Sequence, residues 1–236
     1  MHKKPCIIIT RPLEDAINTA NILNQNGFDS FIEPVMSIEN ILPAAELSND
    51  DIIIITSRNA LRALSQLDNY KNYELIVLGK STCLLAQQEG FNSCKYAGKN
   101  LKELCAYIKS HYKDRNLVYL SGEIVTEELN YKNCNAYINR IIVYKTTRVD
   151  SLSINFKENI LKNNFNGVIF FSKESARIFC ELLEKEGLQP YLGNLYAFCL
   201  SPEISKSISS YGFKATMYAK NPYMNAIIKM IVNFRF

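Results

Sequence analysis

The chain has 236 residues, of which 47% are apolar and 21% are charged, and this balance suits one large or two small globular domains. Its formal net charge of +4 is spread along the chain, which argues against a nucleic-acid-binding arm but would help to attract a small anion. No apolar stretch approaches the ~20 residues that cross a bilayer, and the N-terminus lacks the apolar core of a signal peptide, so we expect a cytoplasmic protein without a membrane partner.

Apolar runs of strand length alternate along the chain with segments that have helical spacing, such as 58–67 and 83–89. The predicted strands, in chain order, are 6–10, 30–35, 52–56, 74–78, 117–120, 141–146, 167–171 and 195–199. This alternation, with short runs rich in Ile and Val, predicts an α/β fold in which parallel sheets are flanked by helices.

Parts of this pattern occur twice. The stretch IIIITSRNALRAL (52–64) is similar to GVIFFSKESARIF (167–179), and 74–97 is similar to 195–219 in the same order. Four predicted helices end in a glycine that is followed by an apolar residue, at Gly27, Gly90, Gly187 and Gly212. The repeat predicts two similar lobes.

The first copy continues into a further strand at 117–120, for which the second copy has no counterpart. The N-terminal segment 6–28 has the same strand–turn–helix pattern and can fill that place in the second lobe. We therefore predict a discontinuous lobe made of 1–34 and 149–236 and an inserted lobe made of 40–140. The chain would cross between the lobes at 35–39 and 141–148, which together form a hinge.

Hydroxyl, amide and basic residues follow the predicted strands, at the edge where open parallel sheets bind ligands. Each group precedes a predicted helix, whose first N–H groups and dipole favour an anion. The candidate binding residues are Thr10, Arg11, Ser57, Arg58, Asn59, Thr82, Ser121, Gly122, Ser172 and Ser201. Helix capping alone is the alternative for each hydroxyl, and solvated surface charge is the simpler interpretation of Lys80 and Lys173. The whole set predicts an anion-binding site.

Residues that would support other chemistries are missing. The two histidines, His2 and His111, have no partner at metal-ligand spacing, and the seven cysteines include no CxxC pair. No Ser/His/Asp triad can be drawn, and the glycine patterns of phosphate and dinucleotide loops are absent. Glu123, Glu127 and Glu128 are predicted to lie on the exposed face of a helix. We therefore expect no metal and no cofactor, and a function that depends on shape and hydrogen bonds.

Several segments occur in a definite order, namely IITRP, IIITSRNALRAL, VLGKSTCLLAQQEGF, YLSGE, IIVYKTT, VIFFSKESARIF and LSPEISKSISSYGF. In this order the chain resembles the uroporphyrinogen-III synthase family over almost its whole length. The resemblance implies two α/β lobes joined by a two-stranded β-ladder, at about 34–39 and 142–148. It also implies a lyase of haem biosynthesis that cyclises hydroxymethylbilane to uroporphyrinogen III, with inversion of the terminal pyrrole ring and loss of water. No cofactor or metal takes part in that reaction.

The resemblance also implies roles for particular residues. Tyr144 matches the tyrosine for which a general-acid role on the departing hydroxyl is proposed, and it is the candidate catalytic residue. Thr82 matches the threonine of a GxxT pattern, and Ser57 and Ser172 match strand-end serines of the family. A tyrosine that merely packs within the ladder is the alternative for Tyr144.

The chain departs from the family at Ser201 and Ile204, where the family often has Gly and Thr. The expected partner is a linear tetrapyrrole polycarboxylate, and the upstream hydroxymethylbilane-forming enzyme is a candidate protein partner. We expect a monomer that binds no nucleic acid. The alternative function is that of a two-lobed cytoplasmic anion-binding protein without catalysis.

Overall fold

The structure is a computed structural model and describes residues 4–41, 47–48, 50–125 and 128–236. It divides into two compact units. Unit 1 is formed by Met1–Ser37 and Thr147–Phe236, and unit 2 is formed by Ile38–Thr146. No helix within the described ranges is long and apolar enough to cross a membrane.

The two units contain strands and helices in alternation. The strands are β1 Cys6–Ile9, β2 Asp29–Ile32, β3 Met36–Asn40, β4 Ile52–Ile55, β5 Glu74–Val77, β6 Ser93–Tyr96, β7 Asn116–Gly122, β8 Tyr137–Arg148, β9 Gly167–Phe170, β10 Tyr196–Cys199 and β11 Ala215–Tyr218. The α-helices are α1 Leu13–Gln25, α2 Arg58–Leu64, α3 Lys80–Gln88, α4 Leu101–His111, α5 Tyr131–Cys134, α6 Ile154–Leu161, α7 Lys173–Lys185, α8 Pro202–Ser207 and α9 Met224–Val232. Each predicted strand overlaps an observed one. The strands predicted from periodicity do not include β3, β6 and β11, because these edge strands are short, partly exposed and without an apolar run. Only the family resemblance implied a ladder strand at the position of β3.

Unit 1 contains a sheet with the strand order β11-β10-β9-β1-β2, in which all neighbouring strands are parallel. The N-terminal strand β1 pairs with β9, and Ile7 lies opposite Gly167. Successive side chains of β1 point to opposite faces of the sheet. Ile8 packs in the cluster that contains α6 and α7, whereas Ile7 and Ile9 pack in the cluster that contains α1 and α9. Helices therefore cover both faces, which explains the continuous apolar runs.

Unit 2 contains a sheet with the strand order β3-β8-β7-β4-β5-β6. β4 is parallel to β5 and β7, and β5–β6 and β7–β8 are parallel pairs as well. The isoleucine run of β4 is buried on both faces. Ile53 and Ile55 pack in the cluster that contains α2 and α3, and Ile52 and Ile54 pack in the cluster that contains α4 and α5. A strand that is apolar at every position is what a sheet covered on both sides requires.

The internal repeat is visible in the order of elements. Unit 2 contains the succession β4-α2-β5-α3-β6, and unit 1 contains β9-α7-β10-α8-β11, with the same neighbours in each sheet. β7 lies beside β4 as β1 lies beside β9. The predicted α/β fold, with two similar units of parallel sheet flanked by helices, is confirmed.

Four helices were predicted to end at a glycine, and three of these predictions are correct. α1, α3 and α7 are followed by Gly27, Gly90 and Gly187, whose φ angles are 86°, 86° and 71°. After Gly27, the N–H of Phe28 donates to the carbonyl of Leu23 at 3.1 Å, which is the Schellman pattern. Gly212 also has a positive φ, but α8 already ends at Ser207, so the prediction of a helix end there is wrong.

The chain passes between the units inside β3 and β8, which are neighbours in the sheet order. Within unit 2, the N–H of Ile41 donates to the carbonyl of Val143 at 2.8 Å. The hinge at 35–39 and 141–148 stays a prediction, and so do the lobe boundaries at 34, 40, 140 and 149.

The prediction of a helix that carries Glu123, Glu127 and Glu128 is wrong for the residues of this segment that the structure describes. β7 ends at Gly122, and no helix follows it among the described residues before α5. The carbonyls of Gly122 and Glu123 accept hydrogen bonds from Arg140 instead of from helical N–H groups. Glu127 lies outside the described residues, as does His2.

Candidate functional site

Two candidate residues of unit 2 meet at the carboxyl end of β4. Ser57 is the N-cap of α2, and its Oγ accepts the N–H of Asn59 at 3.1 Å. The Oη of Tyr144, on β8, donates to the same Oγ at 3.1 Å. A hydroxyl has two acceptor positions and one proton, so the Ser57 hydroxyl retains its proton for donation to a ligand.

A pocket of about 250 Å³ opens beside this pair. Three of its lining residues, Thr56, Tyr119 and Tyr144, carry hydroxyl groups, and the others have no polar side chain. The lining residues are Thr56, Leu78, Leu101, Tyr119, Gly122, Ile124, Val125 and Tyr144. Thr56 Oγ1 and Tyr119 Oη share a hydrogen bond of 3.0 Å. Because small-molecule sites usually measure about 300–1,000 Å³, this pocket suits one ring-sized part of a larger ligand.

Ser121 and Gly122 lie at the end of β7, next to Tyr144. Ser121 is only 2% exposed, and its Oγ accepts a hydrogen bond from Arg140 Nε at 2.8 Å and donates to the Gly122 carbonyl at 3.0 Å. Its hydroxyl therefore makes hydrogen bonds to other groups of the protein. Gly122 brings its backbone against the ring of Tyr144, where a Cβ would lie 2.6 Å from the tyrosine Cζ.

The other candidates of unit 2 lie in the first turns of two helices. Arg58 and Asn59 begin α2, and the Asn59 Oδ1 accepts a hydrogen bond from Arg62 at 3.2 Å. Thr82 is the third residue of α3 and is 5% exposed. Its Oγ1 lies close to Gly79, the N-cap residue of that helix, whose φ is 87°. These positions agree with the predicted strand-end edge, while their contacts with a ligand stay predictions.

The first candidates of unit 1 are engaged in structural contacts. Thr10 is fully buried and donates from Oγ1 to the carbonyl of Ile169 at 3.3 Å. Arg11 forms an ion pair with Asp15 at 2.7 Å and stacks over the ring of Phe171 at 4.2 Å. Its guanidinium is therefore partly neutralised before any ligand arrives.

The serines that follow β9 and β10 differ in their contacts. Ser172 is the N-cap of α7, and its Oγ accepts the N–H of Ser175 at 3.1 Å. Ser201 occupies the N-cap position of α8 without a side-chain capping bond. Its hydroxyl instead bonds to the carboxylate of Glu203, and this bond lowers the pKa of Glu203. Ile204 is buried in the core, so the departure from the family at this position replaces a polar group by packing.

A buried carboxylate lies just after β2 in the same unit. Glu33 is 4% exposed and accepts hydrogen bonds from the N–H of Ser153 at 2.7 Å and from its Oγ at 2.6 Å. Burial raises the pKa of Glu33, and the bonds from Ser153 oppose that effect in part. Ser153 is the N-cap of α6, so Glu33 supports the start of that helix.

Sequence reasoning did not select Glu33, Tyr119 or Arg140. Each lies within or next to a strand, where a single polar side chain gives no periodic signal in the sequence. Their hydrogen-bond partners are visible only in the tertiary structure. Among the residues that the structure describes, no group of three or more His, Cys, Asp or Glu is arranged to hold a metal ion. The expectation that the protein uses no metal or cofactor stays a prediction.

Comparisons with known proteins concern the whole chain and its fold. A family model described as uroporphyrinogen-III synthase HemD matches residues 18–229. A protein of Methanocaldococcus jannaschii named "Putative uroporphyrinogen-III synthase" is 26% identical in an alignment 227 positions long, and the alignment covers 88% of this chain and 90% of that protein. The crystal structure of uroporphyrinogen-III synthetase from Helicobacter pylori 26695 has a similar fold, with a TM-score of 0.65 and 16% identity over 99% of this chain and 100% of that chain. Because the family model spans most of its length, the chain belongs to the uroporphyrinogen-III synthase HemD family.

Proposed function

We propose that the protein cyclises hydroxymethylbilane to uroporphyrinogen III, as a lyase that removes water and inverts the terminal pyrrole ring. Membership of the family gives the role in tetrapyrrole biosynthesis. The observation that supports the chemistry is the hydrogen bond between Tyr144 and Ser57 beside a ring-sized pocket.

The first step is the loss of the substrate's hydroxyl. The C–O bond of the hydroxymethyl group breaks while the electron pair of the pyrrole nitrogen forms the C=N bond of the azafulvene. The oxygen gains one proton and leaves as water, and the pyrrole nitrogen loses its own proton, so that one water is lost overall. A hydroxyl that donates to this oxygen while the bond breaks acts as a general acid. We assign this donation to Tyr144, whose proton is directed at Ser57 Oγ in the free protein and would turn to the departing oxygen when the substrate binds. The Thr56–Tyr119 pair lines the same pocket and offers further hydrogen bonds to the ring.

The second requirement is to direct ring closure. Hydroxymethylbilane closes without an enzyme to the uninverted type I isomer, so the protein must favour attack through the spiro intermediate. Holding the reacting carbons together in one orientation can supply such a preference without further catalytic groups. The apolar wall formed by Leu78, Leu101 and Ile124 suits the flat face of a pyrrole.

The eight carboxylates of the substrate need cationic or N–H partners. The helix N-termini that follow the strands of each unit offer free N–H groups, with Arg58 at the start of α2 and Lys173 at the start of α7. Ser201 is less suited to a carboxylate, because the charge of Glu203 is already bonded to it. We propose that Arg11 contributes less to carboxylate binding than Arg58 and Lys173, because its charge is partly neutralised by the ion pair with Asp15.

The test is to supply freshly made hydroxymethylbilane to the purified protein and to resolve the porphyrin isomers after oxidation. We expect type III to dominate with the native protein and type I with heat-unfolded protein. If the folded protein gives type I alone, the proposed activity is wrong. If the protein forms no type III isomer but calorimetry shows that it binds uroporphyrinogen III, the result would support the alternative, an anion-binding protein without catalysis.

We also propose that the protein acts as a monomer, without a cofactor, and that 35–39 and 141–148 form a hinge between its units. Turnover that survives dialysis against a chelator would support activity without a metal cofactor, and sedimentation of the active protein as a dimer would contradict the monomer. Because the substrate closes spontaneously, the upstream enzyme that forms hydroxymethylbilane stays a candidate partner.

A further inference from the structure

We propose that Arg140 is a positioning residue for Tyr144. Its guanidinium holds the end of β7 opposite a β-bulge in β8, and this arrangement fixes the phenol of Tyr144 against Gly122 and within reach of Ser57. This inference rests on the proposed function, because it concerns the group to which we assign the proton donation.

The guanidinium of Arg140 binds oxygen atoms of three successive residues. Its Nε donates to Ser121 Oγ, and its Nη2 donates to the carbonyls of Gly122 and Glu123, all at 2.8 Å. Hydrogen bonds from a charged donor are shorter and stronger than neutral ones, and the planar guanidinium fixes the angle between them. The backbone of 121–123 is therefore held by one rigid group.

The strand that pairs with the held segment, β8, has a β-bulge. Ser121 pairs with Ile142 but Gly122 pairs with Tyr144, so that Val143 is the extra residue in the ladder between β7 and β8. Bulges change the direction of a side chain and are frequent beside active sites. Here the extra residue places Tyr144 opposite Gly122, and the N–H of Glu123 donates to the carbonyl of Tyr144 at 3.0 Å.

The position of Gly122 determines the position of the phenol. A Cβ at Gly122 would lie 2.6 Å from Cζ and 2.9 Å from Oη of Tyr144, so the ring rests directly on the glycine backbone. From there the Oη reaches Ser57 Oγ at 3.1 Å. If the end of β7 relaxes, the ring loses this support and the hydroxyl loses its fixed place. Arg140 thus acts on the reaction through the backbone of β7.

The test compares kcat and KM for the native protein, Arg140→Met, Tyr144→Phe and the double variant. We expect Arg140→Met to lower kcat about tenfold with KM within about twofold of native, since it disturbs a group that acts in the transition state. In the Tyr144→Phe background the same change should lower kcat by less than about twofold, since the hydroxyl that Arg140 positions is already gone. Arg115→Met is the matched control, because Arg115 is exposed and immediately precedes β7, and it should leave both constants unchanged.

Other results would overturn the inference. A rise in KM alone would make Arg140 a substrate ligand, and an equal loss in both backgrounds would make it a purely structural residue. Arg140→Lys keeps the charge but replaces the planar fork by one ammonium, so we expect a loss between native and Arg140→Met with an unchanged thermal melt. An Arg140→Lys protein with full activity would also contradict the inference.

A second measurement separates this inference from the proposed function. In protein labelled with ¹³Cζ-tyrosine, the Tyr144 signal is identified by its absence in Tyr144→Phe. Arg140→Met should move this signal, and Arg115→Met should not. If native protein makes no type III isomer, the proposed function fails, while a moved signal still supports the positioning by Arg140. If native protein makes type III and Arg140→Met changes neither kcat nor the signal, the function stands and the inference fails.

Discussion

Tyr144 and Ser57 are 87 residues apart in the chain, and a hydrogen bond of 3.1 Å joins their hydroxyls at the carboxyl end of β4. Ser57 also caps α2, so the same oxygen serves the fold and the proposed site. The dual role explains why capping and ligand binding are not exclusive alternatives for this residue. The Oγ accepts from Asn59 and Tyr144 and still has a proton to donate.

Replacement of Tyr144 by phenylalanine removes one hydroxyl and keeps the ring that packs on Gly122. A principal donor to a developing charge is worth roughly 10²–10³ in turnover. We expect a smaller loss in kcat, because the hydroxyls of Ser57, Thr56 and Tyr119 and the orientation of the substrate share the stabilisation. The measurement is the rate of type III formation by a variant whose thermal melt is native. Complete loss of activity would contradict this distributed mechanism and make Tyr144 indispensable.

Gly122→Ala tests the contact between the end of β7 and the phenol. The added methyl would lie 2.6 Å from the ring, so the ring must move away from its place beside Ser57. We expect a loss of kcat at least as large as that of Tyr144→Phe. Gly193→Ala is the matched control, because the nearest atom to its new methyl would be at 3.9 Å, and its activity should remain native. Native activity of Gly122→Ala would show that the placement of the ring is unimportant.

At the scale of elements, the strand-end serines differ in what they give to their helices. Ser172 caps α7 through the N–H of Ser175, whereas Ser201 makes no side-chain cap for α8. We expect Ser172→Ala to lower the free energy of unfolding by about 1 kcal/mol and Ser201→Ala to lower it by clearly less. Urea denaturation of both variants measures the difference. Equal losses would contradict the expectation that the capping bond makes Ser172 the more stabilising of the two serines.

Glu33 links the end of β2 to the start of α6 and makes stability depend on pH. Burial raises its pKa in the folded state, so the fold favours the protonated carboxyl. The resulting stabilisation is complete below the ordinary glutamate pKa and is lost as the pH rises through the raised value. Relative to Glu33→Gln, the native protein should therefore gain stability as the pH falls from 7 through this window.

Denaturation of native protein and Glu33→Gln at several pH values tests this expectation. Glu158→Gln, at an exposed position of α6, is the control and should follow the native pH dependence. Parallel pH profiles of the native protein and Glu33→Gln would contradict a raised pKa at Glu33.

At the scale of the whole molecule, the chain passes between its two units twice, inside β3 and β8. Two short crossings permit movement, and interfaces between domains allow it by default. We expect small-angle scattering to show a smaller radius of gyration when uroporphyrinogen III is bound. A scattering profile that is unchanged at saturating product would instead indicate that the units do not move on binding.

Much of the architecture was predictable because it depends on local periodicity. The isoleucine run of β4 and the apolar run of β9 are buried on both faces, as continuous apolar strands require. Glycine after α1, α3 and α7 has the left-handed conformation that helix ends favour. The helix expected after Gly122 was wrong, because the side chain of Arg140, from a distant part of the sequence, binds the carbonyls that such a helix would use.

The sequence by itself determined the parallel sheets, the repeat, and the serines and threonines at the strand ends, because each follows from residues close together in the chain. Only the tertiary structure decided which of these residues meet. The bulge at Val143, the contact of Tyr144 with Gly122, and the bonds of Arg140 to 121–123 all join segments that are distant in sequence. The register between β7 and β8 sets these contacts, and a shift of one residue would turn each side chain to the other face. That register cannot be predicted from composition or periodicity.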